Sequence, residues 1–596
     1  MDAIAIRIAA ALAPHLGLEP EEVAGLLEVP REAGRGDYAV PCFSLARRLR
    51  RAPAQIAAEA AAAASAAIAP GGLVRAVQAV GPYLNLWLEP ATFAEAVLSE
   101  VALHGRQYGE SRRGAGQRVV IDYSSPNIAK RFHIGHLRST VIGAALVRLH
   151  RAQGYEVIGV NHLGDWGTQF GHLIAAWERW GEEERLAGDD PIGYLQELYV
   201  RHNRAAAEDP AYAERARAAF KRLEDGDPSA RALWSRFREL SLREFARIYE
   251  LLGVEFEQIA GESFYEDKIP HALELCAARG VSEWSEGALI IDFARHGHPG
   301  LPPMLLRRSD GATLYATRDL AAAIYRFETY DPAKILYVIG APQKLHLEQL
   351  FTALRLLGFP AERCAHVAFG HVQGMSTREG TAILLDEVLG RAIRLAEERI
   401  RAGEVRVPAE QIERTARAVG VGAVVFADLR HRHLKDIAFD WDRIVRFEGE
   451  TGPYLQYAHA RLCSIAEQVA AVDPEAAAAL VEFGREPLAP AQVGALLGAG
   501  RPIEPQLLVE PETFAVLRLV GAYPRTLERA AAELEPSVLA QYLLELAGAF
   551  SGFYHAHHVK NAEPAQRRAR LALVHAVRHV LAHGLTLLGI EPLERM

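Results

Sequence analysis

The chain is poor in cysteine, in long apolar runs and in net positive charge, and each shortage removes a class of explanation. Its four cysteines, Cys42, Cys276, Cys364 and Cys463, stand far apart with no CxxC pair, which argues against a disulfide framework or a zinc module. No stretch reaches the ~18 uninterrupted apolar residues of a membrane span. The first residues carry Asp2 and Arg7 inside an amphipathic pattern, not the apolar region and cleavage site of a secretory signal, so the expected compartment is the cytoplasm. A net charge of −9 gives no support for nucleic-acid binding. It does not exclude it, because local basic patches steer such partners. What is present is ordinary for a soluble globular chain, 50% hydrophobic and 24% charged. The length predicts roughly three to five domains, and there is no internal repeat of fixed period.

The most informative stretch is 118–143, RVVIDYSSPNIAKRFHIGHLRSTVIG. Val119 to Tyr123 reads as a buried strand and Ser124 to Asn127 as a turn. From Ile134 the apolar residues Ile134, Leu137, Val141, Ala145 and Leu149 recur at helical spacing. His133 and His136 therefore fall in the first turn of a helix that leaves a strand, where free N–H groups and the helix dipole attract phosphate. Gly135 leaves the surface between the imidazoles bare for a nucleotide, and the two rings project to one side, able to donate to phosphate oxygens in a transition state. HxGH by itself also fits a metal site or two surface histidines.

The HIGH tetrapeptide between strand and helix resembles the ATP-binding signature of class I aminoacyl-tRNA synthetases. The longer strings SSPNIAK, HIGHLRST and NHLGDWGTQFG (161–171) are similar to arginyl-tRNA synthetases in particular. The resemblance covers nearly the whole chain. It implies ATP-dependent activation of L-arginine to arginyl-adenylate and transfer of arginine to the 3′ end of tRNA(Arg), with release of AMP and pyrophosphate. The implied partners are tRNA(Arg), L-arginine and ATP, the last with Mg²⁺ as a substrate complex. No metal held by the protein is expected, nor a membrane, and the implied state is a monomer that commonly needs tRNA before it activates arginine. Rival readings are another HxGH nucleotidyltransferase, which would lack the arginine pocket, and a synthetase-derived RNA-binding protein, which would be expected to have disabled histidines.

The expected architecture is an α/β Rossmann-like class I synthetase catalytic domain with a helical insertion, an N-terminal α+β domain and a C-terminal all-α anticodon-binding domain. Residues 1–105 form the first unit, with an alanine-rich helix over 54–69, an extended segment after Gly36 and a strand over 80–88. The catalytic domain spans 106–375. Its first βαβ unit is 119–123, 134–152 and 155–161, with later strands at 288–293, 334–339 and 364–369 and a helical insertion near 180–250. A helical connecting region covers 376–440. The anticodon-binding domain, 441–596, contains a variable insertion or loose linker near 470–510.

Site residues follow in part from chemistry and in part from the resemblance. A guanidinium offers five donors in a fixed fork and calls for planar carboxylates and acceptors. The segment SDGATLYATRD (309–319) supplies Tyr315 and Asp319, with Thr317 as expected N-cap. On its own Asp319 fits equally a residue that only stabilises a helix start; the resemblance makes both substrate-binding. It adds Asn127 of SSPN, Glu262 of GESFY and Gln343 of IGAPQKLH to the arginine site. Carboxylates left unpaired by a wrong ligand reject it by ~10⁴-fold, so no editing domain is called for. The ATP site is expected to use His133, Gly135 and His136 with Met375 and Ser376 of GMSTR (374–378). That string stands where the family's second signature loop belongs, but Gly374 and Thr377 replace both of its lysines. Lys130 is then the first candidate for the missing phosphate cation and Arg378 the second. Expected tRNA contacts are Tyr83 and Asn85 at the elbow-contacting N-terminal domain, Arg430 and Arg432 of the basic run RHRHLK, Tyr454 and Tyr457 of GPYLQYAHAR as stacking faces, and Met596 at the end of IEPLERM. From charge alone the run Arg47 to Arg51 is a solvated helix face.

Overall fold

The computed structural model describes residues 3–30, 32, 34–373, 383–438, 440–480 and 483–596. The N-terminal unit is an antiparallel sheet of β1 (Tyr38–Pro41), β2 (Val74–Val80) and β3 (Tyr83–Leu88) in the order β1-β3-β2. Leu84, Leu86 and Leu88 are fully buried at strand spacing. The alanine-rich helix Pro53–Ala67 buries Ile56, Ala57, Ala60, Ala61 and Ala64, which share one helical face.

The second unit is built on a five-stranded parallel sheet. Its strands are β4 (Arg118–Asp122), β5 (Glu156–Asn161), β6 (Gln258–Ile259) and, past an antiparallel excursion of β7 (Glu283–Ser285), β8 (Ala288–Ile291) and β9 (Met304–Arg307), β10 (Lys334–Tyr337) and β11 (Cys364–His366). The order is β11-β10-β4-β5-β6. Val119, Val120 and Ile121 are fully buried, as a strand covered on both faces requires. Connections leave β4 toward β5 on one side while β10 lies on the other, so the sheet has its switch point beside β4, the place where open α/β sheets bind ligands.

The segment 288–293 is not part of this sheet, contrary to its expected place there. Glu286 and Gly287, both with positive φ (50° and 79°), make a two-residue hairpin between Ser285 and Ala288, which folds β8 into a separate small sheet with β7 and β9. The edge strand β6 is only two residues long and left no periodicity to read.

The helical insertion runs through Thr168–Trp180, Pro191–Glu208, Pro210–Glu224 and Pro228–Leu252. Three of these helices open on Asp-Pro: Asp190, Asp209 and Asp227 each accept a backbone N–H at 2.9 Å from Gly193, Ala211 and Ala230. Proline at the first helical position follows an acidic N-cap, the preferred arrangement.

Beyond the sheet, Leu385–Arg401 and Ile412–Leu429 form an antiparallel pair, followed by Gly452–Ala470, Pro511–Ala532, Pro536–Ala556 and Pro564–Leu588. The last of these is long and apolar enough to cross a membrane by composition, but 72% of its apolar window is buried inside the bundle. The segment 470–510 is not a loose linker in its described part. Leu480, Phe483, Ile503 and Leu508 are buried, and backbone bonds from Arg106 to Arg485 (3.1 Å) and from Leu488 to Ala102 (2.9 Å) seat it on the helix Pro90–His104. Its alanine and proline content reflects short helices, Pro474–Leu480 and Pro490–Leu496.

Candidate active site

At the carboxyl end of β4 the backbone turns through Ser124 (φ 71°), Ser125 (φ 47°) and Ala129 (φ 56°). Side-chain residues avoid this left-handed region unless the surroundings hold them in it. They do so here. The Ser124 N–H donates to Ser139 Oγ (2.8 Å), the Ser124 hydroxyl meets Thr140 and Tyr249 (both 2.8 Å), and the Ala129 N–H donates to Ser241 Oγ (2.8 Å). Gly164 completes the arrangement: a Cβ there would stand 2.0 Å from Asn127 Oδ1, so glycine makes room for the Asn127 amide.

The helix Ile134–Ala152 begins immediately after His133. Gly135 N–H donates to His133 Nδ1 (3.1 Å) and His133 N–H to His136 Nδ1 (3.2 Å), and the two rings pack 3.9 Å apart. Since each Nδ1 accepts, each proton sits on Nε2, leaving that edge free to donate. Burial depresses both imidazoles, helped by Lys130 at His133 and by His133 at His136, whose pKa falls to about 3. Both are neutral donors at pH 7. A Cβ on residue 135 would meet the His133 ring at 2.9–3.0 Å, so the glycine is needed for the ring's own packing as well as for a bare surface.

Gly135 and His136 line one cavity of about 410 Å³ together with Asn127, Glu262, Tyr315, Asp319 and Gln343. That set contains all five residues expected to hold arginine. The helix Tyr315–Tyr330 starts three residues earlier than an N-cap at Thr317 implies. Thr317 lies inside it, accepting weakly from the Leu314 N–H (3.4 Å) and donating to Leu306 O (2.5 Å). Asp319 is therefore one turn in, and its role is not helix capping. His346 Nε2 donates to Asp319 Oδ2 (2.6 Å) and His162 Nε2 lies 3.4 Å from Oδ1. Burial would raise the Asp319 pKa, but these two imidazoles hold it well below the carboxylate range. Tyr315 leans its ring on His346.

Glu262 is placed by a residue that sequence reading did not single out. Asp165, fully buried, accepts from the Ser263 N–H (2.9 Å) and hydroxyl (2.8 Å) and pairs with Arg238 (3.0 Å), fixing the turn that carries Glu262. Burial pushes the Glu262 carboxyl up to about 7, Arg318 at 3.5 Å partly offsetting this and Asp319 adding to it. In the cavity wall Asp122 pairs with the buried Arg326 (2.7 Å). His162, His346, Asp122 and Arg326 line the cavity and were not singled out from sequence; His162 and His346 lay inside the quoted strings NHLGDWG and APQKLH.

Other expected residues fall elsewhere. Lys130 does not line the cavity; its ammonium sits 5.7 Å from the centre of the Tyr199 ring on the insertion. His133 stands just outside, behind His136. Gly374, Met375, Ser376, Thr377 and Arg378 lie outside the described residues. Tyr83 is exposed and set edge-on against Phe43, whereas Asn85 is buried because β3 is the central strand of its sheet; its side chain offers a partner no surface. Arg430 is mostly buried and bound to Glu450 O (2.6 Å) and carboxylate, while Arg432 is exposed and pairs with the buried Glu535 (3.4 Å). Tyr454 is half-buried against the main core, and Tyr457 and Met596 share a smaller cluster with Phe447 and Leu593. Among the described residues no group of three or more metal-ligating side chains is assembled.

A second trough of about 910 Å³ adjoins the cavity through Asn127, Glu262 and Tyr315 and adds Arg217, Lys221, Arg308 and Arg318. The trough also carries Glu224, Glu266 and Asp310, so the site is a polar pocket with a broad approach of mixed charge.

Residues 97–441 match the family described as tRNA synthetases class I (R), catalytic domain, residues 455–596 the DALR anticodon binding domain, and residues 2–88 the arginyl tRNA synthetase N terminal domain. The chain is 40% identical over 596 residues to the arginine–tRNA ligase of Clostridium botulinum (strain Alaska E43 / Type E3), covering 99% of each. It is 42% identical over 584 residues to that of Clostridioides difficile (strain 630), covering 97% of each. Its fold is similar to Thermus thermophilus arginyl-tRNA synthetase, with a TM-score of 0.76, 27% identity and 99% of each chain covered.

Proposed function

The chain belongs to the arginyl-tRNA synthetases of class I, and from that premise we propose how its cavity carries the family reaction. The enzyme activates L-arginine with ATP to arginyl-adenylate and transfers the arginine to tRNA(Arg). The observation that carries the residue assignment is convergence: the helix start at Gly135 and His136 and the carboxylates of Asp122, Glu262 and Asp319 share one pocket at the sheet's switch point.

In this reading Asp319, Glu262 and Tyr315 grip the guanidinium, and Asn127 and Gln343 orient the amino-acid end toward His136. ATP, with Mg²⁺ as part of the substrate complex, lies over Gly135 with its phosphates at the helix start. The arginine carboxylate attacks the α-phosphate and pyrophosphate leaves. The Nε2–H edges of His133 and His136 stabilise the charge that builds on the phosphate oxygens, and no covalent protein intermediate is needed. The terminal ribose hydroxyl of tRNA then attacks the mixed anhydride, entering along the adjoining trough. Met375, Ser376 and Arg378 complete the ATP site. Lys130 reaches the phosphates by leaving Tyr199, a half-buried contact of about 0.5–2 kcal/mol. Tyr83, Arg430, Arg432, Tyr454, Tyr457 and Met596 belong to the tRNA-facing side, and the enzyme acts as a cytoplasmic monomer.

Arginine-dependent ATP–pyrophosphate exchange with and without tRNA(Arg) tests this. Asp319→Asn is expected to lose roughly 10³- to 10⁴-fold in kcat/KM for arginine, and an Asn variant as active as wild type would discard the pocket assignment. Lys130→Ala separates the lysine from the rest: collapse supports it as the phosphate cation, and full exchange removes it while leaving the enzyme intact. No exchange at all in folded wild-type protein would favour an RNA-binding protein.

A further inference from the structure

The insertion helix Pro228–Leu252 meets the strand-end loops along one line of side chains. Trp234, Arg238, Ser241 and Tyr249 fall within about 80° of arc around its axis. Tyr249 and Ser241 hold the two ends of segment 124–129: the Tyr249 hydroxyl meets Ser124 Oγ (2.8 Å) and Ser241 Oγ accepts the Ala129 N–H (2.8 Å). Asn127 hangs between them. The Ser241 hydroxyl proton goes to Phe237 O (2.7 Å) in the helix itself, so the oxygen presents a lone pair to the loop. One turn earlier, Trp234 Nε1 donates to Asp165 O (2.7 Å) and Arg238 Nε to Asp165 Oδ2 (3.0 Å).

Asp165 passes that position on to Glu262. Its carboxylate takes the Ser263 N–H and hydroxyl, and a Cβ on Gly261 would stand 2.4–2.5 Å from it, so the turn closes directly on the carboxylate. The Glu262 N–H donates to Leu163 O (2.9 Å). The two loops also hold each other: the Ile128 N–H donates to Gly164 O (3.2 Å) and the Gly164 N–H to Pro126 O (3.1 Å). Ser241 and Asp165 are fully buried, so a partner removed there leaves a polar group that water does not reach. Asn127 and Glu262 line the same cavity. Both are therefore referred to one rigid element, on which Arg238 and Ser241 stand about 4.5 Å apart along the axis.

We propose that Arg238 and Ser241 are positioning residues that set the length of substrate the arginine pocket accepts. Neither lines the cavity. Arg238 acts through Asp165 and Ser263 on Glu262, at the guanidinium end; Ser241 acts through Ala129 on Asn127, at the amino-acid end. Because both stand on one helix, the two ends keep a fixed separation. A guanidinium carried on one methylene more or fewer then satisfies one end and misses the other. Such homologues bring the same charge in the same planar fork, so charge recognition does not tell them apart and the separation does. This rests on the assignment of Glu262 to the guanidinium and Asn127 to the amino-acid end.

The test is ATP–pyrophosphate exchange by the full-length enzyme with tRNA(Arg) present, driven by L-arginine, by L-homoarginine (one methylene longer) or by L-2-amino-4-guanidinobutyrate (one shorter). A fitted pocket discriminates a single methylene by about 10–200-fold in kcat/KM. Arg238→Ala and Ser241→Ala should each raise KM for arginine about tenfold, reduce the discrimination severalfold and leave KM for ATP unchanged. Arg238→Gln, which keeps the aliphatic stem without the charge, carries the same reading if Arg238→Ala does not fold. Arg238→Lys returns a cation to Asp165 and should recover most of the selectivity. Arg243→Ala, on the opposite and exposed face of the same helix, should behave as wild type. Length ratios at wild-type values in the Arg238 and Ser241 variants overturn the proposal, as does a KM for ATP that rises in step with that for arginine. Glu262→Gln separates the two levels: an unaffected KM for arginine there removes the pocket assignment, whereas a raised KM with unaltered ratios in the Arg238 and Ser241 variants removes this inference alone.

Discussion

The cavity at the strand ends and the surfaces assigned to tRNA handle charge in opposite ways. In the cavity, Asp122, Asp319, Arg318 and Arg326 are buried or nearly so, and each charge has a defined partner within 2.6–3.5 Å. Around the basic run 430–435, by contrast, Arg432 is 80% exposed and holds Glu535 at only 3.4 Å. A small cation is recognised by groups whose desolvation has been completed before it arrives, so that a wrong ligand leaves them unpaired. A polynucleotide is recognised by many weak, replaceable pairs, each exchanging a carboxylate or counterion for a phosphate. The same residue types therefore differ in energetic weight by an order of magnitude across one chain.

The buried pair Arg138–Asp428 joins the two regions and gives the largest expected effect on stability. Arg138 leaves the signature helix to meet Asp428 of Ile412–Leu429 at 3.2 Å and also donates to Lys435 O (2.9 Å), and both side chains are 1% exposed. Burial pushes Asp428 up to about 6 in spite of Arg138, and a buried ion pair is by itself weak evidence of stabilisation. Removing one partner is another matter. Asp428→Ala should cost about 3–5 kcal/mol in chemical denaturation, because the guanidinium remains buried and unpaired. Arg138→Met with Asp428→Leu should recover most of it. A single Ala variant as stable as wild type would mean the site admits water, and the contrast between dry cavity and wet surface would weaken.

Next in size is the pH response of the pocket. Glu262, with its carboxyl near 7, is part protonated at neutral pH because burial disfavours its charge. Arginine binds the ionised form better, so its affinity should rise with pH through that region and fall below it, by up to about tenfold per unit. Glu262→Gln should raise KM for arginine and make the remaining pH profile shallower, leaving KM for ATP nearly unchanged. An unaltered profile would place Glu262 outside the guanidinium's reach.

Elements with strong periodicity or continuous strings were legible before any coordinates: β4, the helix after HIGH, the insertion and five pocket residues. What was not legible depended on partners distant in sequence. Asn85 looked like a surface residue of an alternating strand, and only the position of β3 between two neighbours buries it. The strand at 288 was recognised but put in the wrong sheet, since pairing is decided by a two-residue turn and not by composition. Thr317 resembled an N-cap because threonine suits that position, but Leu306 O claims its hydroxyl from another strand. The segment 470–510 is alanine- and proline-rich yet packed, because the helix Pro90–His104 supplies the apolar face it needs. His162 and His346 went unassigned because an imidazole acquires a role only from the carboxylate that tertiary structure brings to it.

The smallest effect is the most discriminating. Arg430 and Arg432 are two residues apart in one basic run and look interchangeable in sequence, yet Arg430 is 15% exposed and Arg432 80%. Arg430 ties the end of Ile412–Leu429 to Glu450, just ahead of the helix that carries Tyr454 and Tyr457. Replacing it should chiefly lower thermal stability. Arg432 can leave Glu535 for a phosphate because the buried carboxylate keeps the His433 N–H and ring and the Ser537 hydroxyl as partners. Arg432→Ala should leave melting and arginine KM unchanged, raise KM for tRNA(Arg) a few-fold, and reduce the slope of log affinity against log salt by about one. If instead Arg430→Ala carries the salt effect and Arg432→Ala the loss of stability, exposure is not what sorts phosphate contacts from structural cations here. The tRNA path would then cross the Glu450 side of the run.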